Sequence, residues 1–234
     1  MPAMFEPMLR GLIRLALFAF VSFAFWLAVA TRLSSVANLS VIVVGVLLTF
    51  PVVWLARKIL DRHQTLGYAV WTTTLLHVAL GLTLGVPLVR ALTTHGDWPG
   101  WVLPVPPGIG FAMVIVTGAA CLLVVMNLAL KGLGAPGIAL SRKLASDWFY
   151  ARTRNPMALA AFAFFVSLGV WFQSLLFVLW ALLLFTPAVL FFIKVFEERE
   201  LEIRFGEAYR RYRASTPFLW PSVRPQTPPG FPSE

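Results

Sequence analysis

The chain has 234 residues, of which 59% are hydrophobic and 12% charged, with a formal net charge of +9. Soluble domains carry about a quarter charged residues, so this composition excludes an ordinary soluble protein and indicates an integral membrane protein. The single cysteine excludes a disulfide framework, and with three scattered histidines we expect no metal site. In a membrane protein the positive charge indicates basic loops beside anionic lipids, so we expect no nucleic acid partner.

Apolar runs of about 20 residues recur along the chain, and such runs are long enough to cross the hydrocarbon core of a bilayer. They predict an all-α fold, a polytopic membrane helix bundle of about six transmembrane helices. The predicted spans are 12–31, 38–56, 67–90, 108–130, 157–173 and 175–196. Only the segment FQS separates the last two apolar runs, so we expect a tight C-terminal helical hairpin. Its first arm is the shortest span and is expected to fall short of the far membrane surface.

The distribution of lysine and arginine predicts the orientation of these spans. With six spans, every Lys and Arg except Arg32 and Arg90 falls on one side of the membrane. Because positive residues are enriched in cytoplasmic loops, both termini and the 131–156 loop are predicted to be cytoplasmic. We expect an integral protein of a bacterial inner membrane.

The stretch DWFYARTRNPMALAAFAFF, residues 147–165, marks the cytoplasmic entry of the fifth span. Pro156 fits the first turn of a helix, where its missing N–H costs nothing, and Asn155 then takes the N-cap position. The first backbone N–H groups of this helix are therefore directed into a cluster of basic and aromatic side chains.

The stretch FFIKVFEERELEIRFGEAYRRYR, residues 191–213, leaves the sixth span on the same side. Its helix is predicted to continue to about Phe205 as a cytosolic helical tail and to end or bend at Gly206. This arrangement brings Glu197 and Glu198 to the cluster at the fifth span. Cations, carboxylates, aromatic faces and open backbone donors suit a zwitterionic ligand that carries a nucleoside. On composition alone, an alternative is that these charged and aromatic residues only anchor the helix ends at the membrane interface.

The order and spacing of YARTRNPM and EERELEIRFGEAYRRYRASTPFLWP resemble the isoprenylcysteine carboxyl methyltransferase family. That family is part of a wider group of membrane methyltransferases that includes phospholipid methyltransferases. The resemblance implies S-adenosylmethionine as cofactor at the cytosolic face and a lipophilic or lipid-like acceptor that enters from the bilayer. It divides the chain into N-terminal transmembrane helices (1–130), a methyltransferase-like region (131–221) and a disordered tail (222–234).

The resemblance also assigns residues position by position. The positions that it gives to the cofactor are Arg142, Lys143, Leu144, Ala145, Tyr150, Arg154, Asn155, Pro156, Met157, Glu197 and Glu198. Lys194 and Tyr209 are its candidates on the acceptor side. No catalytic residue is assigned, because the sulfonium of the cofactor carries its own activation and the protein mainly binds, orients and excludes water.

Four positions depart from the family signature. Trp148 and Ala160 stand where the signature has glycine, Ala158 where it has tyrosine, and Ile193 where some members have a substrate-handling arginine. Two further hypotheses stay open. One is an NADPH-dependent membrane reductase related to sterol reductases, which cofactor preference would distinguish. The other is a non-catalytic member, which the two alanines motivate.

Four residues within the predicted spans have expected structural roles. His77 is expected to be neutral and hydrogen-bonded to a neighbouring helix. Asn127, near the end of the fourth span, either faces the cofactor side or bonds to another helix. Pro87 and Pro187 are expected to kink the third and sixth spans.

Overall fold

The computed structural model of the chain describes residues 2–98, 100–130 and 144–223. Within these ranges the protein is helical and contains no β-strand, which confirms the all-α prediction. The α-helices are α1 (Pro2–Ala30), α2 (Ser35–Arg62), α3 (Leu66–Leu80), α4 (Val86–Thr94), α5 (Pro107–Leu130), α6 (Pro156–Trp171), α7 (Leu175–Trp180), α8 (Thr186–Phe192), α9 (Glu198–Phe205) and α10 (Glu207–Ser215).

Five helical segments in the described ranges are long and apolar enough to cross a membrane. They are Gly11–Ala30, Ser35–Arg62, Leu66–Asp97, Pro107–Ala129 and Leu175–Phe205. The sixth apolar helix, α6, has 16 residues, so it is about 24 Å long against a hydrocarbon core of about 30 Å. The polytopic bundle is therefore confirmed, and its fifth apolar segment is the short one, as predicted.

Each proline that was predicted to distort a span follows a π-helical turn. Pro87 follows the turn Gly81–Gly85, and Pro187 follows the turn Ala181–Phe185. A proline lacks the N–H of the helical ladder and crowds the carbonyl four residues earlier, and the wider π turn accommodates both effects. A third π turn, Ile193–Glu197, contains no proline and leads directly into α9.

The C-terminal hairpin is tied to α5 along its length and to the preceding loop at its turn. A Cβ on Gly110 would lie 2.5 Å from the backbone of Trp171, so only glycine permits this approach of α5 to α6. Deeper in the pair, the Thr117 hydroxyl donates to Ser167 Oγ at 3.3 Å. At the turn, the N–H of Leu103 donates to the carbonyl of Gln173 at 3.0 Å. These contacts fix the position of α6 along the axis of α5. They therefore also fix where α6 starts, at the end of the helix opposite to the hairpin turn.

Helix α2 lies at the centre of the N-terminal part of the bundle. It packs against α3, α4 and α8, and its residues Ile42, Val46, Val53 and Leu60 are fully buried. Burial of such a side chain contributes roughly 1.5–3 kcal/mol relative to water exposure, although in a bilayer the packing of the surfaces takes over part of that role. The C-terminal end of α2 therefore has a fixed position beside α8 and α9.

Two polar residues inside the spans are placed differently from the simplest expectation. His77 Nδ1 lies 2.7 Å from the carbonyl oxygen of Thr73 in its own helix, not on a neighbouring helix. The neighbouring helix presents the apolar ring of Phe192, whose centroid lies 5.9 Å from that of His77 and which offers no acceptor for a strong hydrogen bond. Asn127 is buried, and its Nδ2 has no hydrogen-bond partner in the part of the chain that the structure describes.

Candidate functional site

A buried ion pair joins the start of α6 to the start of α9. Arg154 Nη1 lies 2.6 Å from Glu198 Oε1, and the two side chains are 9% and 7% exposed. Lys194, one turn earlier, places Nζ 3.1 Å from the other oxygen, Oε2, while its own side chain is 58% exposed. Both oxygens of Glu198 therefore contact a cation. Buried charges are tolerated only with such compensation, because their removal from water costs several kcal/mol per ion.

The two cations share an aromatic neighbour. The Phe218 ring has the Lys194 Nζ at 4.9 Å from its centroid and the Arg154 guanidinium at 5.5 Å. Both distances are within the range in which a cation is attracted to the face of a ring. Phe218 belongs to the segment 216–223, which follows α10 and returns across the start of α6; we call it the C-terminal strap.

Hydrogen bonds hold the strap against the residues that precede α6. The N–H of Arg154 donates to the carbonyl of Pro217 at 2.9 Å, and Asn155 Nδ2 donates to the carbonyl of Phe218 at 2.8 Å. The buried hydroxyl of Thr153 donates to the carbonyl of Leu219 at 2.9 Å. The strap thus fixes the backbone of residues 153–155, which includes the buried Arg154.

The start of α6 has the predicted N-cap residue with an unexpected use of its side chain. Asn155 occupies the N-cap and Pro156 the first helical position, as predicted. The Asn155 side chain accepts no hydrogen bond from the helix, because its amide is turned to the strap. The first N–H groups of α6 are thus not capped by this side chain.

Three tyrosines lie behind the ion pair. Tyr209 and Tyr212 are each 2% exposed, and the Tyr212 hydroxyl donates to the carbonyl of Tyr150 at 2.8 Å. Burial raises the pKa of the Tyr209 hydroxyl, the charge of Glu198 raises it further, and Arg154 opposes part of this rise. Burial also raises the pKa of Tyr150, with a second contribution from the charge of Glu197. These phenols therefore stay protonated at neutral pH and are poor bases.

Glu197 differs from its neighbour Glu198. It is half-buried, and its charge acts on both Tyr150 and Tyr209. Among the described residues its carboxylate has no ion-pair partner, whereas Glu198 has two. The resemblance gives both adjacent glutamates to the cofactor and aligns the first with a cofactor-binding residue, and in the structure the two have different partners. Glu198 is engaged by two cations, whereas Glu197 has no such partner among the residues that the structure describes.

Four of the remaining residues that the resemblance assigns are described by the structure: Pro156, Met157, Leu144 and Ala145. Pro156 is buried and Met157 half-buried at the start of α6, beside the ion pair. Leu144 and Ala145 are half-buried in irregular chain ahead of Trp148. Arg142 and Lys143 lie outside the described residues. Just before α6 lies a shallow cavity of about 360 Å³, lined by Trp148, Phe149, Ala151 and Arg152.

Residues 108–208 match the phospholipid methyltransferase family. This match confirms, for the C-terminal part of the chain, the resemblance to the wider group of membrane methyltransferases that includes phospholipid methyltransferases. A search of curated proteins found no match, and neither did a search of solved structures.

The residues that match the family differ from the region 131–221 and from the residues that form the site. The match begins with α5, well before residue 131, and ends within α10. It includes Tyr150, Arg154, Glu197 and Glu198 but stops before the C-terminal strap. The strap therefore contributes to the site from outside the matched residues.

The departures from the family signature have visible structural settings. Trp148 has φ +49°, a backbone conformation that glycine adopts without steric cost. Trp148, at a position where the signature has glycine, thus has a backbone conformation that favours glycine. Ile193 is buried, 5% exposed, while its neighbour Lys194 reaches Glu198 and Phe218. Lys194 is therefore the cation available on this turn.

Proposed function

We propose that the protein is an S-adenosylmethionine-dependent membrane methyltransferase that acts on a lipophilic or lipid-like acceptor. The observation that carries this proposal is the contrast between the two glutamates inside the family-matched segment. Glu198 is paired with Arg154 and Lys194, whereas Glu197, whose charge acts on Tyr150, has no ion-pair partner among the described residues. An open carboxylate next to uncapped backbone donors and an aromatic face suits a ligand with hydroxyl, ammonium and carboxylate groups.

The residues of this cluster fit the chemical groups of the cofactor. Glu197 would accept hydrogen bonds from ribose hydroxyls or an amino group, and the N–H groups at the start of α6 would receive the cofactor carboxylate. Tyr150 and Met157 would contribute apolar contacts. When bound, the cofactor would supply a methyl group already activated by its positively charged sulfonium. The protein then has to orient the two partners and exclude water.

The acceptor that this cluster favours is one that is already nucleophilic at neutral pH. Glu198 is held by two cations, and burial keeps the Tyr209 hydroxyl protonated. Neither group is therefore suited to remove a proton from an amine or a phenol. We propose a carboxylate or thiolate on a lipophilic carrier, with Lys194 and Tyr209 on the acceptor side.

The proposal includes the orientation and the division of the chain. With the basic residues on the cytoplasmic side of a bacterial inner membrane, Arg154 and Glu197 lie at the cytosolic surface and both termini are cytoplasmic. The N-terminal helices of 1–130 support the region of 131–221, to which we add α5 because the family match begins there. Of the predicted tail, 222–234, residues Ser222 and Val223 hydrogen-bond to Arg152 as part of the C-terminal strap, and 224–234 lie outside the described residues.

Cofactor-dependent thermal stabilisation of the detergent-purified protein tests this proposal. S-adenosylmethionine, S-adenosylhomocysteine and NADPH are compared on the wild type, on Glu197→Gln and on Glu207→Gln, an exposed glutamate of α10. We expect stabilisation by the first two ligands that persists in Glu207→Gln and disappears in Glu197→Gln. Stabilisation by NADPH alone would favour a reductase, and no stabilisation of a folded protein by any of the three would favour a non-catalytic role.

A further inference from the structure

The π turn Ile193–Glu197 brings a backbone carbonyl into contact with α2. Arg57 Nη1 donates to the carbonyl oxygen of Val195 at 2.8 Å, across 138 residues of sequence. π turns within α-helices occur frequently at functional sites. Here the turn carries Glu197 as its last residue. A guanidinium from the N-terminal bundle is thus bonded to the backbone two residues before the open carboxylate.

A second contact lies two residues after that carboxylate. Arg57 Nε donates to Asp61 Oδ2 at 2.7 Å, and Arg199 Nε donates to Asp61 Oδ1 at 3.0 Å. The last turns of α2 therefore contact this segment at two points. Arg57 donates to the backbone carbonyl of residue 195, and Asp61 accepts from the side chain of residue 199. We call Arg57, Asp61 and Arg199 the α2 clamp.

The magnitudes indicate what this clamp does. Arg57 and Asp61 are 33% and 44% exposed, and exposed ion pairs contribute only about 0–1 kcal/mol to stability. Misplacement of a charged ligand-binding group can cost more, since hydrogen bonds to a charged group contribute about 1.5–3 kcal/mol. The two anchors flank Glu197 by two residues on each side and fix the rotation of the turn that presents it. The effect on ligand binding should therefore exceed the effect on stability.

We propose that Arg57 is a positioning residue for Glu197, acting through the Val195 carbonyl. This inference rests on the proposed function, because it assigns Glu197 to the cofactor. Arg57 lies outside the family-matched residues 108–208. The N-terminal bundle therefore contributes to the geometry of the site as well as to membrane insertion.

The test compares Arg57→Gln and Arg57→Lys with Arg62→Gln, which removes the same charge from an exposed residue at the same helix end. Two quantities are measured on the full-length protein in detergent. The first is hydrogen–deuterium exchange of the backbone amides of 193–200 without ligand. The second is the affinity for S-adenosylhomocysteine by titration calorimetry, with the melting temperature as a control for folding.

We expect Arg57→Gln to speed exchange in this segment and to weaken binding about tenfold or more, with Arg62→Gln unchanged in both. Arg57→Lys, which keeps the charge but not the fork of donors, should fall between them. Unchanged exchange, or faster exchange with unchanged affinity, would overturn the inference. If the wild type binds no S-adenosylhomocysteine, the proposed function fails, and the exchange comparison alone then decides whether Arg57 fixes the turn.

Discussion

Arg154 and Glu198 are 44 residues apart in the chain and meet at 2.6 Å, with both side chains more than nine-tenths buried. This contact joins the start of the short arm of the hairpin to the end of its long arm. It also sets Glu198 apart from Glu197, because it occupies one of the two adjacent carboxylates inside the protein.

Removing the arginine of this pair should strongly destabilise the protein. Arg154→Met removes the buried partner of Glu198 and leaves the 58% exposed Lys194 as its counter-charge; loss of one partner of a buried ion pair costs up to about 3–5 kcal/mol. The double variant Arg154→Met/Glu198→Met removes both charges and should recover a large part of that loss. Denaturant unfolding in detergent measures Arg154→Met, Glu198→Met and the double variant, and simple addition of the two single effects would contradict a coupled pair.

The C-terminal strap should be required for the stability of the start of α6. A chain that ends after Ser215 loses the strap, including the carbonyls that accept from Arg154, Asn155 and Thr153. Each such hydrogen bond contributes about 0.5–1.5 kcal/mol, so we expect a clearly lower melting temperature. A chain that ends after Val223 keeps the strap and serves as the matched control. Equal melting temperatures of the two truncated chains would show that the strap does not stabilise the start of α6.

At position 148 a glycine variant should be more stable than an alanine variant, the reverse of the order within a helix. At φ +49° an L-residue pays about 1–2 kcal/mol that glycine does not. We therefore expect Trp148→Gly to be about 0.5–1 kcal/mol more stable than Trp148→Ala, even after the greater freedom of unfolded glycine is counted. Within α6 the usual order should hold, with Ala158→Gly less stable than the wild type. Denaturant midpoints decide, and a more stable alanine variant at 148 would contradict the strained turn.

The buried tyrosines should make the protein sensitive to alkaline pH. Burial raises the pKa of Tyr212 above its ordinary value of 10.0. Above pH 10 the unfolded state then holds fewer protons than the folded one, so stability is present at lower pH and falls as pH rises, by at most about 1.4 kcal/mol per pH unit for each such tyrosine.

Tyr212→Phe isolates this effect from other alkaline changes. The variant loses the hydrogen bond to the Tyr150 carbonyl and so is less stable at pH 8 by about 1 kcal/mol. Its stability should nevertheless fall less steeply between pH 10 and 11 than that of the wild type. Parallel slopes for the two proteins would contradict a raised pKa at this residue.

Local sequence signals predicted the spans, the start of α6 and the end of α9. Hydrophobic run length marked the membrane segments, Asn155–Pro156 marked the start of α6, and Gly206, at φ +55°, follows the last residue of α9 as predicted. These signals depend on residues within one or two turns of each other. They also indicated that Arg154 and Glu198 approach each other, because topology placed both at one membrane face.

Contacts between distant segments were not predictable in the same way. The strap reaches Thr153 and Asn155 through its own backbone carbonyls, and no side-chain pattern of 216–223 encodes those acceptors. The π turn before Glu198 has no proline to mark it, so the bond from Arg57 to Val195 was also missed. The different roles of Glu197 and Glu198 follow from their three-dimensional partners, whereas in the sequence they are two identical neighbours.

The most direct measurement is the affinity of the purified protein for S-adenosylhomocysteine, in wild type and in Glu197→Gln, with Glu207→Gln as the matched loss of charge. We expect Glu197→Gln to bind at least about tenfold more weakly, since hydrogen bonds to a charged group contribute about 1.5–3 kcal/mol, and Glu207→Gln to bind as the wild type does. Equal affinity of Glu197→Gln and wild type would contradict the assignment of Glu197 as the carboxylate that holds the cofactor.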